Sequence, residues 1–218
     1  IKFMKKFAVV LSGCGVYDGT EIHEATLTLL AIKKAGHDYQ IFAPDIPQYH
    51  VVNHLNGEIM PEDRNVLAES ARIARGNAKA LSEFSAADYD ALVFPGGFGA
   101  AKNLSDYAFK GADCTVNTDV EKAIKDMHAA KKPIGAMCIA PVILARVIPK
   151  AEVTIGETGA DSDNIREMGS QHTVTNHAEV VIDRTNKLYT TPCYMLDANI
   201  AQIAEGTENL IKAILLDM

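Results

Sequence analysis

The apolar run Phe7-Ala8-Val9-Val10-Leu11 ends in Ser12-Gly13-Cys14-Gly15, and beyond the glycines residues 21–34 carry Ile22, Ala25, Leu29 and Ile32 at helical spacing. Strand, tight turn and helix follow one another directly. Lys33 and Lys34 stand in the last helical turn and Gly36 stops it. Tyr39-Gln40-Ile41-Phe42-Ala43 then forms a second strand, closed by Pro44. A helical crossover between two strands makes them parallel, and a parallel sheet is covered by helices on both faces. The chain is thereby confined to a doubly wound α/β architecture, with functional residues expected at the carboxyl ends of the strands.

The alternation continues downstream. Residues 90–94 form a strand ending in Pro95-Gly96-Gly97-Phe98-Gly99, and residues 118–130 form a helix. Residues 133–137 form a strand and 139–147 a helix, with only Cys138 between them. Strands at 151–155, 179–183 and 187–191 and a long amphipathic helix over 196–216 complete the pattern. Residues 45–56 are polar and turn-rich, and Pro61-Glu62-Asp63 opens a helix running to about Arg75. The stretch from about 45 to 80 reads as an insertion on the sheet, and residues 4–218 as a single domain without repeats or linkers.

Composition narrows the function classes. Apolar runs such as residues 142–144 and 213–216 fall far short of the roughly 20 residues that cross a bilayer, so no membrane contact is expected. The first residues run straight into the first strand, unlike a signal peptide, and Met4 is read as the natural start. With 21 basic and 28 acidic residues the net charge is -7, which argues against nucleic acid as a partner. The four cysteines, Cys14, Cys114, Cys138 and Cys193, contain no CxxC pair, so neither a zinc knuckle nor a disulfide framework is expected. A cytoplasmic, reducing location is the expectation from that usage. His50 and His54 have i,i+4 spacing, but no acid or cysteine joins them, so no metal is expected.

Cys138 stands out among the cysteines because of its position. A cysteine alone between a strand and a helix, with the small residues Gly135 and Ala140 nearby, has the setting of a nucleophile elbow. The helix that follows favours thiolate over thiol; the bland alternative is a buried structural cysteine. The Gly96-Gly97 loop reaches the same sheet edge, so Gly97 N–H and Ile139 N–H are candidate oxyanion donors, or else the loop is a plain turn. Glu21 and Glu24, one turn apart at the start of the first helix, are candidate acids. Glu21 fits a capping role better, which leaves Glu24 for catalysis and Glu21 as a supporting acid. Gly13, Cys14 and Gly15, with Phe98 and Asn103, are expected to line the pocket near Cys138. Read as a nucleotide loop, Gly13-x-Gly15-x-x-x-Gly19 is one residue longer than the dinucleotide fingerprint, so no cofactor is expected. Residues 171–172 and 176–177 are polar and turn-like, placing His172 and His177 on the surface, and His23 reads as structural or dimer-facing.

Three motifs, residues 12–24, residues 95–105 and Met137-Cys138-Ile139-Ala140-Pro141, closely resemble the ElbB proteins. These are also called enhancing lycopene biosynthesis or sigma cross-reacting proteins, within the PfpI/class I glutamine amidotransferase-like superfamily. The similarity covers the chain from Met4 and includes residues 190–196. It implies a flavodoxin-like three-layer sandwich, an elbow cysteine at Cys138 paired with the superfamily's glutamate at Glu24, and a homodimer. It also implies a glutathione-independent glyoxalase that converts glyoxal or related 2-oxoaldehydes to 2-hydroxy acids, an activity that can reflect repair of glycated groups. Many relatives place a histidine directly after the cysteine or beyond the elbow helix. Here those positions are Ile139 and residues 153–157, with no histidine, which counts against a Cys-His-Glu triad. The alternative is a non-catalytic role in redox sensing or partner binding, linked to isoprenoid metabolism.

Overall fold

The computed structural model describes residues 3–218; Ile1 and Lys2, read above as upstream of the start, lie outside the described residues. β1 (Lys6–Val10), α1 (Ile22–Lys34) and β2 (Asp38–Ala43) form the first crossover unit. α2 (Val66–Ile73) and β3 (Ala78–Ala80) follow, then β4 (Ala91–Phe94), α3 (Phe98–Lys102), α4 (Tyr107–Lys110) and α5 (Thr118–Ala129). Next come β5 (Ile134–Met137), α6 (Pro141–Val147), β6 (Glu152–Gly156), α7 (Ala160–Glu167) and β7 (Gln171–Val174). β8 (Val181–Asp183), β9 (Leu188–Thr191) and α8 (Ile200–Leu216) close the chain.

Seven strands make one sheet in the order β3-β2-β1-β4-β5-β9-β8. Every neighbouring pair is parallel except β8 against β9, so the sheet is mixed and its antiparallel member sits at an edge. Strand alternation divides the core. Phe7, Val9, Ala91 and Val93 face α1 and α8, where Leu29, Ile32, Leu210 and Ile214 meet them. Ala8, Val10, Leu92 and Phe94 face the opposite layer with Ile124 and Met127 of α5 and Leu144 of α6. Each fully buried Val, Leu or Phe contributes about 2 kcal/mol, and both faces must be dry at once, which is why these strands are apolar throughout.

Several elements depart from the sequence reading. The helix expected from Pro61 begins at Val66: Asn65 accepts from Ala68 N–H as its cap, and Val66 N–H donates to Ile46 O, which anchors this start to the preceding loop. Within the expected insertion, β3 joins the main sheet as an edge strand beside β2. The strand at 152–156 does not enter the main sheet; it pairs in parallel with β7 as a separate ribbon, with α7 as their connection. α6 starts at Pro141, because Ile139 and Ala140 form the turn in which Ala140 N–H donates to Met137 O.

Candidate active site

Four strand ends meet on one side of the sheet: those of β1, β4, β5 and β9. Cys138 follows β5 directly and holds φ at +59°, the left-handed region that costs a non-glycine residue about 1–2 kcal/mol. Its N–H donates to Thr191 O at the end of β9, which fixes the elbow from below. The turn places the thiol beside Glu24 on α1, so that a Cβ built on Gly96 would lie 2.9 Å from Cys138 Sγ and 2.6 Å from Glu24 Oε1, while the Gly97 and Ile139 N–H groups favour the sulfur anion.

Glu24 is completely buried. Gly96 N–H donates to its Oε1 at 2.9 Å and Tyr194 N–H to its Oε2 at 3.2 Å. Burial, reinforced by the charge of Glu21, pushes the carboxyl up to about 8 against these donors. The Cys138 thiol is also pushed well above its ordinary range, by burial first and the Glu24 charge second. Burial and the neighbouring carboxylate thus work against the thiolate that the helix start favours. α6 and two N–H groups favour the anion, but full desolvation beside a carboxylate outweighs them. Glu21 caps α1 by accepting from Glu24 N–H at 2.7 Å, and burial raises its carboxyl too.

The glycines of the β4 loop are needed because the parts of the site nearly touch. A Cβ on Gly96 would lie 2.3 Å from Cys138 Cβ and 2.6 Å from Glu24 Oε1. One on Gly97, at φ +99°, would lie 2.4 Å from both Glu21 N and Gly19 O, backbone atoms that cannot move aside. Gly97→Ala is expected to destabilise the protein by about 3 kcal/mol or more, read as a lower urea midpoint at unchanged m-value.

Cys138 opens into a cavity of about 540 Å3, which Phe98, Ile139 and Tyr194 also line. Gly13, Cys14, Gly15 and Asn103 are not among its lining residues, contrary to the sequence expectation. Gly13 N–H donates to Ser70 Oγ of α2, drawing the loop's first half toward that helix, and the half-exposed Cys14 senses Arg72 and Glu69 there. Asn103 holds the loop together instead, donating to Ser12 O and Asp18 O and accepting from Tyr49 N–H. Cys193 is buried, feels the charges of Glu24 and Cys138, and lies outside the cavity lining. Cys114 is buried in the opposite layer. A groove of about 640 Å3 beside the ends of α1 and α8 contains no residue of this site.

Two contributors escaped the sequence reading. Tyr194 binds Glu24 through its backbone, lines the cavity and meets His23 Nδ1 through its hydroxyl at 2.7 Å. Gly96, and not Gly97, holds Glu24. The only signal in the sequence was their membership in the motifs at 95–105 and 190–196. His172 is half-buried in β7 with neither ring nitrogen hydrogen-bonded, unlike the surface residue expected; His177 pairs with Glu205 at 3.0 Å. Neither lines the cavity.

A mostly parallel sheet that delivers a buried cysteine into a left-handed turn beside a buried glutamate defines a cysteine-elbow α/β protein. The chain belongs to the DJ-1/PfpI family, whose pattern matches residues 13–191. It is 49% identical over 220 residues to the mitochondrial ES1 protein homolog of Rattus norvegicus, covering 96% of this chain and 83% of that one. It is 48% identical to the human mitochondrial glutamine amidotransferase-like class 1 domain-containing protein 3, covering 96% and 82%. A crystal structure described as an isoprenoid biosynthesis protein with amidotransferase-like domain from Ehrlichia chaffeensis superposes with a TM-score of 0.91 at 35% identity, covering 98% and 100%. The mitochondrial names of the rat and human relatives overturn the expectation of a cytoplasmic location.

Proposed function

We propose that this protein is a cofactor-independent glyoxalase of the ElbB type, acting on glyoxal or related 2-oxoaldehydes through Cys138. The Ehrlichia relative, described as an isoprenoid biosynthesis protein with an amidotransferase-like domain, supports the ElbB assignment within the family. The observation that carries the chemistry is the fully buried Glu24 carboxyl placed beside Cys138, which itself opens into a cavity.

In its one-proton form the pair supplies both nucleophile and base. Glu24 takes the thiol proton as sulfur bonds to the aldehyde carbon. Once that bond exists the sulfur no longer carries the negative charge, and Gly97 N–H and Ile139 N–H are free to hold the new alkoxide. Glu24 returns the proton to that oxygen, giving a neutral hemithioacetal. It then removes the proton on the same carbon and delivers it to the neighbouring carbon through an enediol, while the hydroxyl proton of the first carbon passes to the oxygen of the second. One carbon is oxidised to a thioester while its neighbour is reduced to an alcohol. Water releases the 2-hydroxy acid and restores the thiol. Redox sensing, the competing reading, calls for an exposed and easily ionised thiol, whereas Cys138 is buried and shifted the other way. A homodimer with an aldehyde as its small-molecule partner belongs to the same proposal.

The test is proton NMR of glyoxal or methylglyoxal incubated with the purified protein, with no thiol or nucleotide added. Glycolate or lactate should accumulate with the untreated protein and cease once Cys138 is alkylated. Unchanged substrate in both samples overturns the reading.

A further inference from the structure

The cavity beside Cys138 is far larger than a two-carbon dialdehyde. At about 540 Å3 it falls in the range, roughly 300–1,000 Å3, of pockets that enclose whole metabolites. Its lining is mostly apolar, with a polar cluster formed by Tyr107 of α4 and by Asp161 and Asn164 of α7. Asn164 Nδ2 donates to the Tyr107 hydroxyl oxygen at 2.9 Å, and that hydroxyl donates to Asp161 Oδ1 at 2.5 Å. The direction of the chain is therefore fixed. Its terminal acceptor is a carboxylate whose Oδ2 has no partner among the described residues. No lysine or arginine is among the described residues lining the cavity, and Asp161 is the one acidic residue there.

A partly buried carboxylate in the first turn of α7, bordering an apolar lining that holds no lysine or arginine, favours a ligand that brings its own positive charge. It also repels one that carries a second carboxylate. We propose that Tyr107, Asp161 and Asn164 form a cation subsite, and that the cavity accepts carbonyl compounds bearing a protonated amine at the end remote from the reacting carbon. This inference rests on the reading of Cys138 as the reacting group and adds the class of molecule delivered to it. Glyoxal itself would fill only the part of the cavity beside the sulfur.

The test reads charge preference at Cys138 without relying on turnover. Aminoethyl, hydroxyethyl and sulfonatoethyl methanethiosulfonates are cationic, neutral and anionic reagents of similar size. Each forms a mixed disulfide with the thiol and releases methanesulfinate. Rates at Cys138, followed by peptide mass and normalised to those of a free thiol, should favour cation over anion by on the order of tenfold. Asp161→Asn should lower that ratio severalfold, to what the neighbouring Glu24 alone contributes. Asp163→Asn removes the same charge from the exposed face of α7 and should leave it in place, as should Tyr107→Phe, which frees Asp161 without removing it. Cys14, partly exposed and outside the cavity lining, reports the background set by the acidic surface. Equal ratios in the wild type and Asp161→Asn, or a wild-type ratio of one at Cys138, would overturn the subsite. An Asp161-dependent ratio in a protein that converts no aldehyde would support the subsite while the glyoxalase reading failed.

Discussion

Cys138→Ala is expected to lower glyoxal conversion at least about a thousandfold, to the rate of buffer with protein present, while the circular dichroism spectrum and thermal midpoint stay close to wild type. The size of the loss follows from the chemistry: without sulfur there is no covalent adduct, and the remaining donors can only orient a hydrated aldehyde. Retention of the fold follows from the surroundings. Alanine keeps the Cβ and the backbone contact from Cys138 N–H to Thr191 O, and only the sulfur is lost. The φ of +59° costs alanine about what it costs cysteine. Residual conversion within tenfold of wild type would place the chemistry elsewhere.

Glu24→Gln is expected to act on both rate and stability. Conversion should fall by about a hundredfold or more, the usual contribution of a positioned base. Wild-type activity should rise with pH and level off above about 8, where the Glu24 carboxyl gives up its proton and the pair reaches its working one-proton form; that inflection should vanish in the glutamine variant. Stability runs the opposite way. The folded carboxyl is raised above its unfolded value, so from about pH 4.5 to 8 the native state holds a proton that the unfolded chain has released. The wild type therefore loses stability with rising pH across that window, relative to Glu24→Gln, at up to about 1.4 kcal/mol per pH unit. Urea titrations of both proteins between pH 5 and 9 measure the difference in slope. Parallel curves would mean that the folded Glu24 carboxyl titrates as it does in the unfolded chain, and would remove the activity inflection near pH 8.

The elements legible in the sequence are those whose pattern has one explanation. β1, β4 and β5 are continuous apolar runs because both sheet faces are buried, and Cys138 was distinguishable because nothing separates its strand from the turn that follows. α7 and β7 gave no such signal: only Ser162 and Ile165 of α7 are buried, and the residues of β7 are mostly exposed. The side on which the Gly13–Gly15 turn packs was likewise out of reach, since Ser70, which holds it, lies on a helix far along the chain. The thiol's direction of shift was hidden for a related reason. Adjacent features, a helix start and free N–H groups, argue for an anion, whereas the burial and the carboxylate that prevail come from the assembled tertiary structure. Tyr107, Asp161 and Asn164 are individually unremarkable in the sequence, and only the packing of α7 near α4 makes them a cluster.

The pairing of β5 with β9, which carries Thr191 beneath Cys138 and Tyr194 onto Glu24, also bears on folding kinetics. The two strands are joined across the whole of residues 138–187, so their register, Ile134 against Leu188 through Met137 against Thr191, closes a long loop. Contacts of such sequence separation form slowly, since the entropy of closure is spent before the parallel ladder returns anything. Until β9 docks, Cys138 lacks the strand beneath it and Glu24 lacks one of its two backbone donors. The newly made chain thus passes through an interval in which the Cys138 thiol is open to oxidants, and the more slowly β9 docks, the longer that exposure lasts.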